Sequence, residues 1–297
     1  MFGAEIAALA AAATWALAGL LSVNPVEKLG SIAFNRIRMT LVAVMLIAYT
    51  TIIGTWDTIH WSQMNAIVWS AMIGIVLGDT ALFIAMRRLG PRRSGILFAT
   101  NAPMATLLSW FIFSEILSWP ELIGTLLVIG GVMLAILFGK RKDQIHKWES
   151  IKGLLWIGVI WGLLAAAGQA VGSLIIKPTL LEGADPVAVS AIRVAISAVS
   201  LIVVGLLPIQ SVKPLGKLDL SSFLQIAGSG LIAMGIGMTL LLYAFSIGEI
   251  GIVASLSATS PVMMLPILWI KTGERPALGA WIGAALVVIG SALIFLY

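Results

Sequence analysis

The chain of 297 residues has no cysteine, only two histidines, and charge on just 10% of its positions. Without cysteine there is no disulfide framework, no thiolate zinc or iron–sulfur site and no cysteine nucleophile. His60 and His146 both fall in polar breaks, which leaves no basis for a histidine metal cluster or an intramembrane catalytic triad. No Gly-x-x-x-x-Gly-Lys-Ser/Thr loop is present, so ATP is not expected to act on this chain directly. The scarcity of charge is itself diagnostic, since soluble domains carry about 25% charged residues. Against it stand 60% hydrophobic residues and a mean hydropathy of +1.07. That much apolar surface must face lipid. No cofactor is called for, and an enzyme is not expected.

About 20 apolar residues cross a bilayer as a helix. Ten such stretches are expected: 4–23, 31–53, 65–86, 94–114, 121–138, 151–176, 186–207, 223–246, 250–270 and 277–296. Turn chemistry separates them, as at Asn24-Pro25, Gly90-Pro91, Lys177-Pro178 and Asp185-Pro186. The start Met1-Phe2-Gly3-Ala4-Glu5 lacks a basic segment, so the first stretch reads as a retained span and not a signal peptide. The longest charge run, 140–150, reads as a basic cytoplasmic linker between residues 1–139 and 151–297.

The net charge of +5 would suit a nucleic-acid partner, but its distribution says otherwise. With an even number of spans both termini share a side, and the loops on that side contain one basic residue, Lys177. The opposite loops contain fourteen, including Arg87, Arg88, Arg92, Arg93 and Lys140 through Lys142. Lys and Arg are retained in the cytoplasm, so both termini are expected outside, in a multi-pass protein of the cell (inner) membrane.

The two halves match in order. Trp15 corresponds to Trp161, and Ala33–Leu41 to Ala188–Ile196, which sets Arg38 opposite Arg193. Asn101-Ala102-Pro103 corresponds to Thr259-Ser260-Pro261, and Glu115 to Glu274. Five spans per half, an odd number, inserts the second half upside down. The expected architecture is all-α integral membrane, ten transmembrane helices as two inverted five-helix repeats. Secondary transporters use such repeats, with a substrate site at the midplane and alternating access by rocking of the halves.

In this pattern the chain resembles the drug/metabolite transporter superfamily, specifically its EamA-type members. The resemblance rests on Pro103 to Glu115 and Pro261 to Glu274 in the fourth spans, Gly-rich fifth spans, and the Trp and Arg pairs of the first and second spans. It implies movement of small metabolites, often amino acids, through a central cavity lined by spans one to four of each half. One departure is that the loop 54–64 has no basic residue while the next basic loop has four, so orientation is taken from this sequence.

Ionisable residues inside spans are the default functional candidates, because burying a charge in hydrocarbon is costly. Asp79 lies about 12 Å in from the basic edge at 1.5 Å per residue. It is either a proton-coupling carboxylate, a ligand for a substrate amine, the partner of Arg36 or Arg38, or a carboxylate in interfacial water. Arg38 and Arg193 could each grip a substrate carboxylate or serve as structural anchors. Trp15 and Trp161 lie mid-span, where they either line a cavity or fill space between helices. Asn101, Gln169, Tyr243, Thr259 and Ser260 complete the candidate substrate-binding set. Pro103, Pro261, Glu115 and Glu274 are candidate hinge or gate residues. The expected cargo is a small neutral or zwitterionic, amino-acid-like solute, with protons as a candidate coupling ion. A lipid-linked carrier is a competing cargo, and a channel or intramembrane enzyme are readings from other classes. Substrate, direction and oligomeric state stay open.

Overall fold

The computed structural model describes residues 3–101, 103–105, 108, 118–139, 150–248, 253, 256–257 and 259–296. Most of the predicted linker, and Glu115, lie outside the described residues. The described residues are helical: α1 Gly3–Leu29, α2 Ser31–Ile53, α3 Trp61–Leu89, α4 Pro91–Phe98, α5 Trp119–Phe138, α6 Leu155–Leu181, α7 Pro186–Leu206, α8 Leu220–Ile247, α9 Ser260–Thr272 and α10 Leu278–Leu296. Six of them, α1–α3 and α6–α8, are long and apolar enough to cross a bilayer. The chain is a multi-pass membrane protein.

Several boundaries depart from expectation. Helix α1 runs through Pro25 to Leu29, and α6 through Pro178 to Leu181. In α1, tertiary packing outweighs the lost backbone bond, since Val26 and Leu29 are fully buried. The stretch expected at 94–114 is broken by a turn at Ala99 and Thr100. In the matching stretch Pro261 does not kink a helix from within. It opens α9 at the first turn, where a missing N–H costs nothing.

Each helix pairs with a set of neighbours that fixes the middle of the molecule. Helix α2 packs on α7 and α5 on α10; α1 lies against α8 and α9, and α6 against α3 and α4. The α5–α10 seam brings backbones together: a Cβ added at Gly131 would lie 2.6 Å from the Gly283 carbonyl oxygen. Small residues permit such approach in lipid, where helices associate through packing.

At one end of the bundle, Thr55 Oγ1 donates to Asp185 Oδ1 (3.2 Å) and Gln63 Nε2 to Glu182 Oε2 (2.8 Å). Asp185 also caps α7, accepting from the N–H groups of Val187 and Ala188. At the opposite, basic end, Lys28 pairs with Asp219 (2.9 Å) and Lys152 with Glu27 (2.5 Å). Asp219 caps α8 through the Ser222 N–H. The hydrogen bond from Lys28, then those from Ser222, hold the Asp219 carboxyl far below the usual carboxylate range. A carboxyl depressed in the folded state stabilises above its unfolded pKa and stops doing so as pH falls through the folded value. The Asp219→Ala variant should therefore melt below the wild type at neutral and mildly acid pH. Melting curves in detergent should show that gap closing only under strongly acid conditions.

Candidate functional site

Two helices in the middle of the bundle are locally over-wide. Within α3 the segment Ala71–Asp79 is π-helical, and within α8 the segment Leu231–Gly237 is π-helical too. Such i→i+5 segments leave carbonyls without their α-helical donors and are frequent at functional sites. One of those carbonyls is used directly, for Trp15 Nε1 on α1 donates to the Ala233 oxygen on α8 (3.1 Å).

The two segments border a central cavity of about 820 Å³, its mouth included. Its wall is mostly apolar, with Phe83, Phe98, Met86, Met234, Met238 and Met264 contributing bulk. Polar groups are few: Ser22, Arg38, Asp79, Asn101, Gln169, Ser257 and Ser260. A smaller second chamber continues from it toward Lys177 and Phe245. Trp15, Asn101, Gln169 and Ser257 line both chambers and form the waist between them. The larger chamber reaches Met86 and Pro91 at the basic end. Gly90, with φ 84°, makes the sharp exit from α3 that sets Pro91 against this wall.

The charged centre is an ion pair. Arg38 Nη2 donates to Asp79 Oδ2 at 2.5 Å, and both side chains are at least nine-tenths buried. The Arg38 guanidinium also stacks 4.6 Å from the Phe83 ring centroid, and Asn35 Nδ2 donates to Thr80 Oγ1 (3.1 Å). Arg193 does not line the cavity, but it is buried on α7 and attracted by the same Asp79 carboxylate. Arg38 meets the Asp79 carboxylate directly, whereas Arg193 Nη1 lies 3.8 Å from Met238 Sδ.

The other candidates are distributed as follows. Trp15, Arg38, Asp79, Asn101, Gln169, Ser260 and Pro261 line the cavity. Trp161 lines neither chamber, and Tyr243 is 45% exposed on the outer surface of α8. Thr259 Oγ1 donates to the Leu256 carbonyl (2.7 Å), which ties it to its own turn. Pro103 lines a separate apolar recess with Leu97, Ile129 and Val159. Glu274 follows the end of α9, its N–H donating to Thr272 Oγ1 (3.2 Å). Residues the sequence reading passed over include Met238, Met264 and the Ala233 carbonyl. Met238 was discoverable, since Gly78-Asp79-Thr80 matches Gly237-Met238-Thr239 in the second half.

Comparison with known proteins fits this arrangement. The EamA-like transporter family matches residues 2–137 and again 156–296, one match for each half. The chain belongs to the EamA-like transporter family. Both EamA matches stop short of the basic run between the halves. A protein of Synechocystis sp. described as an uncharacterized transporter is 23% identical over 244 residues, 79% of this EamA-like chain and 72% of the relative. A solved crystal structure shares the fold at a TM-score of 0.72 and 18% identity, covering 99% of this chain and 96% of the other. As an EamA-like protein the chain is a membrane transporter.

Proposed function

We propose that this protein is a secondary transporter built from two inverted five-helix repeats, which moves a small neutral or zwitterionic, amino-acid-like solute by alternating access. The observation that carries the reading is the central cavity with its waist at Trp15, Asn101 and Gln169. It is apolar, lies between the two family-matched halves, and has few fixed polar groups to orient a cargo. The helix pairings support an inverted repeat. Exchanging α1 with α6, α2 with α7, α3 with α8, α4 with α9 and α5 with α10 maps the main pairings, α2 on α7, α5 on α10, α1 on α8 and α9, and α6 on α3 and α4, onto themselves. The matched π segments of α3 and α8 point the same way. Rocking of such halves exposes a midplane site to each side in turn. The basic shell around Arg87, Arg88 and Lys152 favours that end as cytoplasmic, with both termini outside.

The test is counterflow in proteoliposomes loaded with unlabelled neutral amino acids and related metabolites. Saturable uptake of labelled solute is expected, and an open pore would not give it. Trp15→Ala removes both an aromatic wall and the bond to Ala233, so it should reduce uptake at least about tenfold. Trp161→Ala should reduce it less. Absence of saturable flux for every solute would refute the reading.

A further inference from the structure

The halves differ most where they should match. In the first, Asn35 donates to Thr80 and Arg38 pairs with Asp79. The corresponding positions in the second half hold Ser190, Thr239, Arg193 and Met238. Serine is too short to replace the asparagine amide, and both Ser190 Oγ and Thr239 Oγ1 are buried with no hydrogen-bond partner. Where Arg38 has a carboxylate, Arg193 Nη1 has Met238 Sδ at 3.8 Å. The Nε atoms of both arginines are buried and unpartnered.

Charge is unequal too. Arg38 and Arg193 are 4% and 2% exposed, and Asp79 is the carboxylate that acts on both. Among the described residues, two guanidiniums against one carboxylate leave the cluster with one uncompensated positive charge, a costly state away from water. Arg38 and Asp79 line the cavity, while Arg193 stands behind Met238, which also lines it. The unpartnered Nε and the occupied Nη2 of Arg38 form one edge of its fork, which suits a bidentate carboxylate.

Resting on the carrier reading, we propose that this cluster is a carboxylate-exchange site. The carboxylate of the solute takes Arg38 from the cavity, and Asp79 transfers to Arg193. The bound state then has two guanidiniums and two carboxylates, each paired. The cargo class is a monocarboxylate, free or as the acid end of a zwitterion, and a solute whose carboxyl is amidated is rejected. The second half lacks its own carboxylate because that position receives Asp79 during turnover.

Met238→Asp tests the exchange by giving Arg193 a resident carboxylate, which leaves Asp79 nowhere to go without adding unbalanced charge. The full chain in nanodiscs is titrated with L-leucine, 4-methylpentanoate and 4-methylpentanamide, and affinity is read from thermal shifts. Both acids should bind at least about tenfold more tightly than the amide, as expected when a charged hydrogen-bond pair is lost. Met238→Asp should abolish that preference, and Met238→Asn, similar in shape but uncharged, should keep it. Arg193→Met, which removes the landing place and the excess charge together, should also abolish it. Absent acid binding, equal affinity for acid and amide, or an acid preference surviving both Met238→Asp and Arg193→Met overturns the inference in favour of a fixed structural brace. Saturable flux without acid preference overturns the exchange site and leaves the carrier. Acid preference in nanodiscs without flux of any solute does the reverse.

Discussion

Replacing Asp79 by alanine is expected to lower the stability of the folded protein by about 3–5 kcal/mol, the range for stripping one partner from a buried ion pair. The loss includes leaving the Arg38 guanidinium buried without its partner. Arg38 loses its 2.5 Å partner and Arg193 its source of attraction at the same moment. Arg193→Met is the informative comparison. It leaves the Arg38–Asp79 pair intact and removes the side chain whose Nε has no partner, so its effect should stay within about 1 kcal/mol. Denaturant titration in one detergent, with loss of helical signal as the readout, ranks the two variants. Equal destabilisation by both would show that Arg193 is held by something other than Asp79.

The second large effect is expected at the seam between α5 and α10. A Cβ on Gly131 would lie 2.6 Å from the Gly283 oxygen, 2.9 Å from Leu286 Cβ and 3.0 Å from the Val287 nitrogen. Two of these neighbours are backbone, which cannot rotate away, so Gly131→Ala should cost about 3 kcal/mol, the upper end for overpacking. The adjacent Gly130 meets nothing within 4 Å. Gly130→Ala should therefore be neutral or stabilise by up to about 1 kcal/mol through helix propensity. Two identical substitutions one residue apart thus predict opposite signs. Thermal melting resolves them, and matching melting temperatures would rule out close backbone approach at the seam.

Much of this architecture can be read from apolar length and punctuation, because lipid demands long satisfied helices and leaves little else to choose. Proline was the least faithful marker. Pro25 and Pro178 sit inside helices whose packing tolerates a lost bond, and Pro261 starts a helix where the expected stretch 250–270 would have run through it. At the site, rarity was the useful signal: Asp79, Arg38, Trp15, Asn101 and Gln169 are conspicuous in an apolar chain, and all line the cavity. Tyr243 and Trp161 are equally conspicuous but turn elsewhere, since composition does not fix the rotation of a nearly uniformly apolar helix. The wide segments of α3 and α8 have no legible cause in the residues. Met238 shows a different limit. Its importance is relational, visible only when it is set beside the aspartate that occupies the same place in the other half.

The wide segment of α3 also sets a mechanical scale. Each residue that π winding adds turns everything beyond it by about 100° and displaces it by about 1.5 Å relative to an unbroken α-helix. Asp79 stands at the last position of that segment. Tightening by a single residue would swing its carboxylate through more than a quarter-circle around the helix axis, with no hinge between domains and no unfolding. One turn-register step in α3 therefore separates two different headings of the carboxylate at the centre of the site.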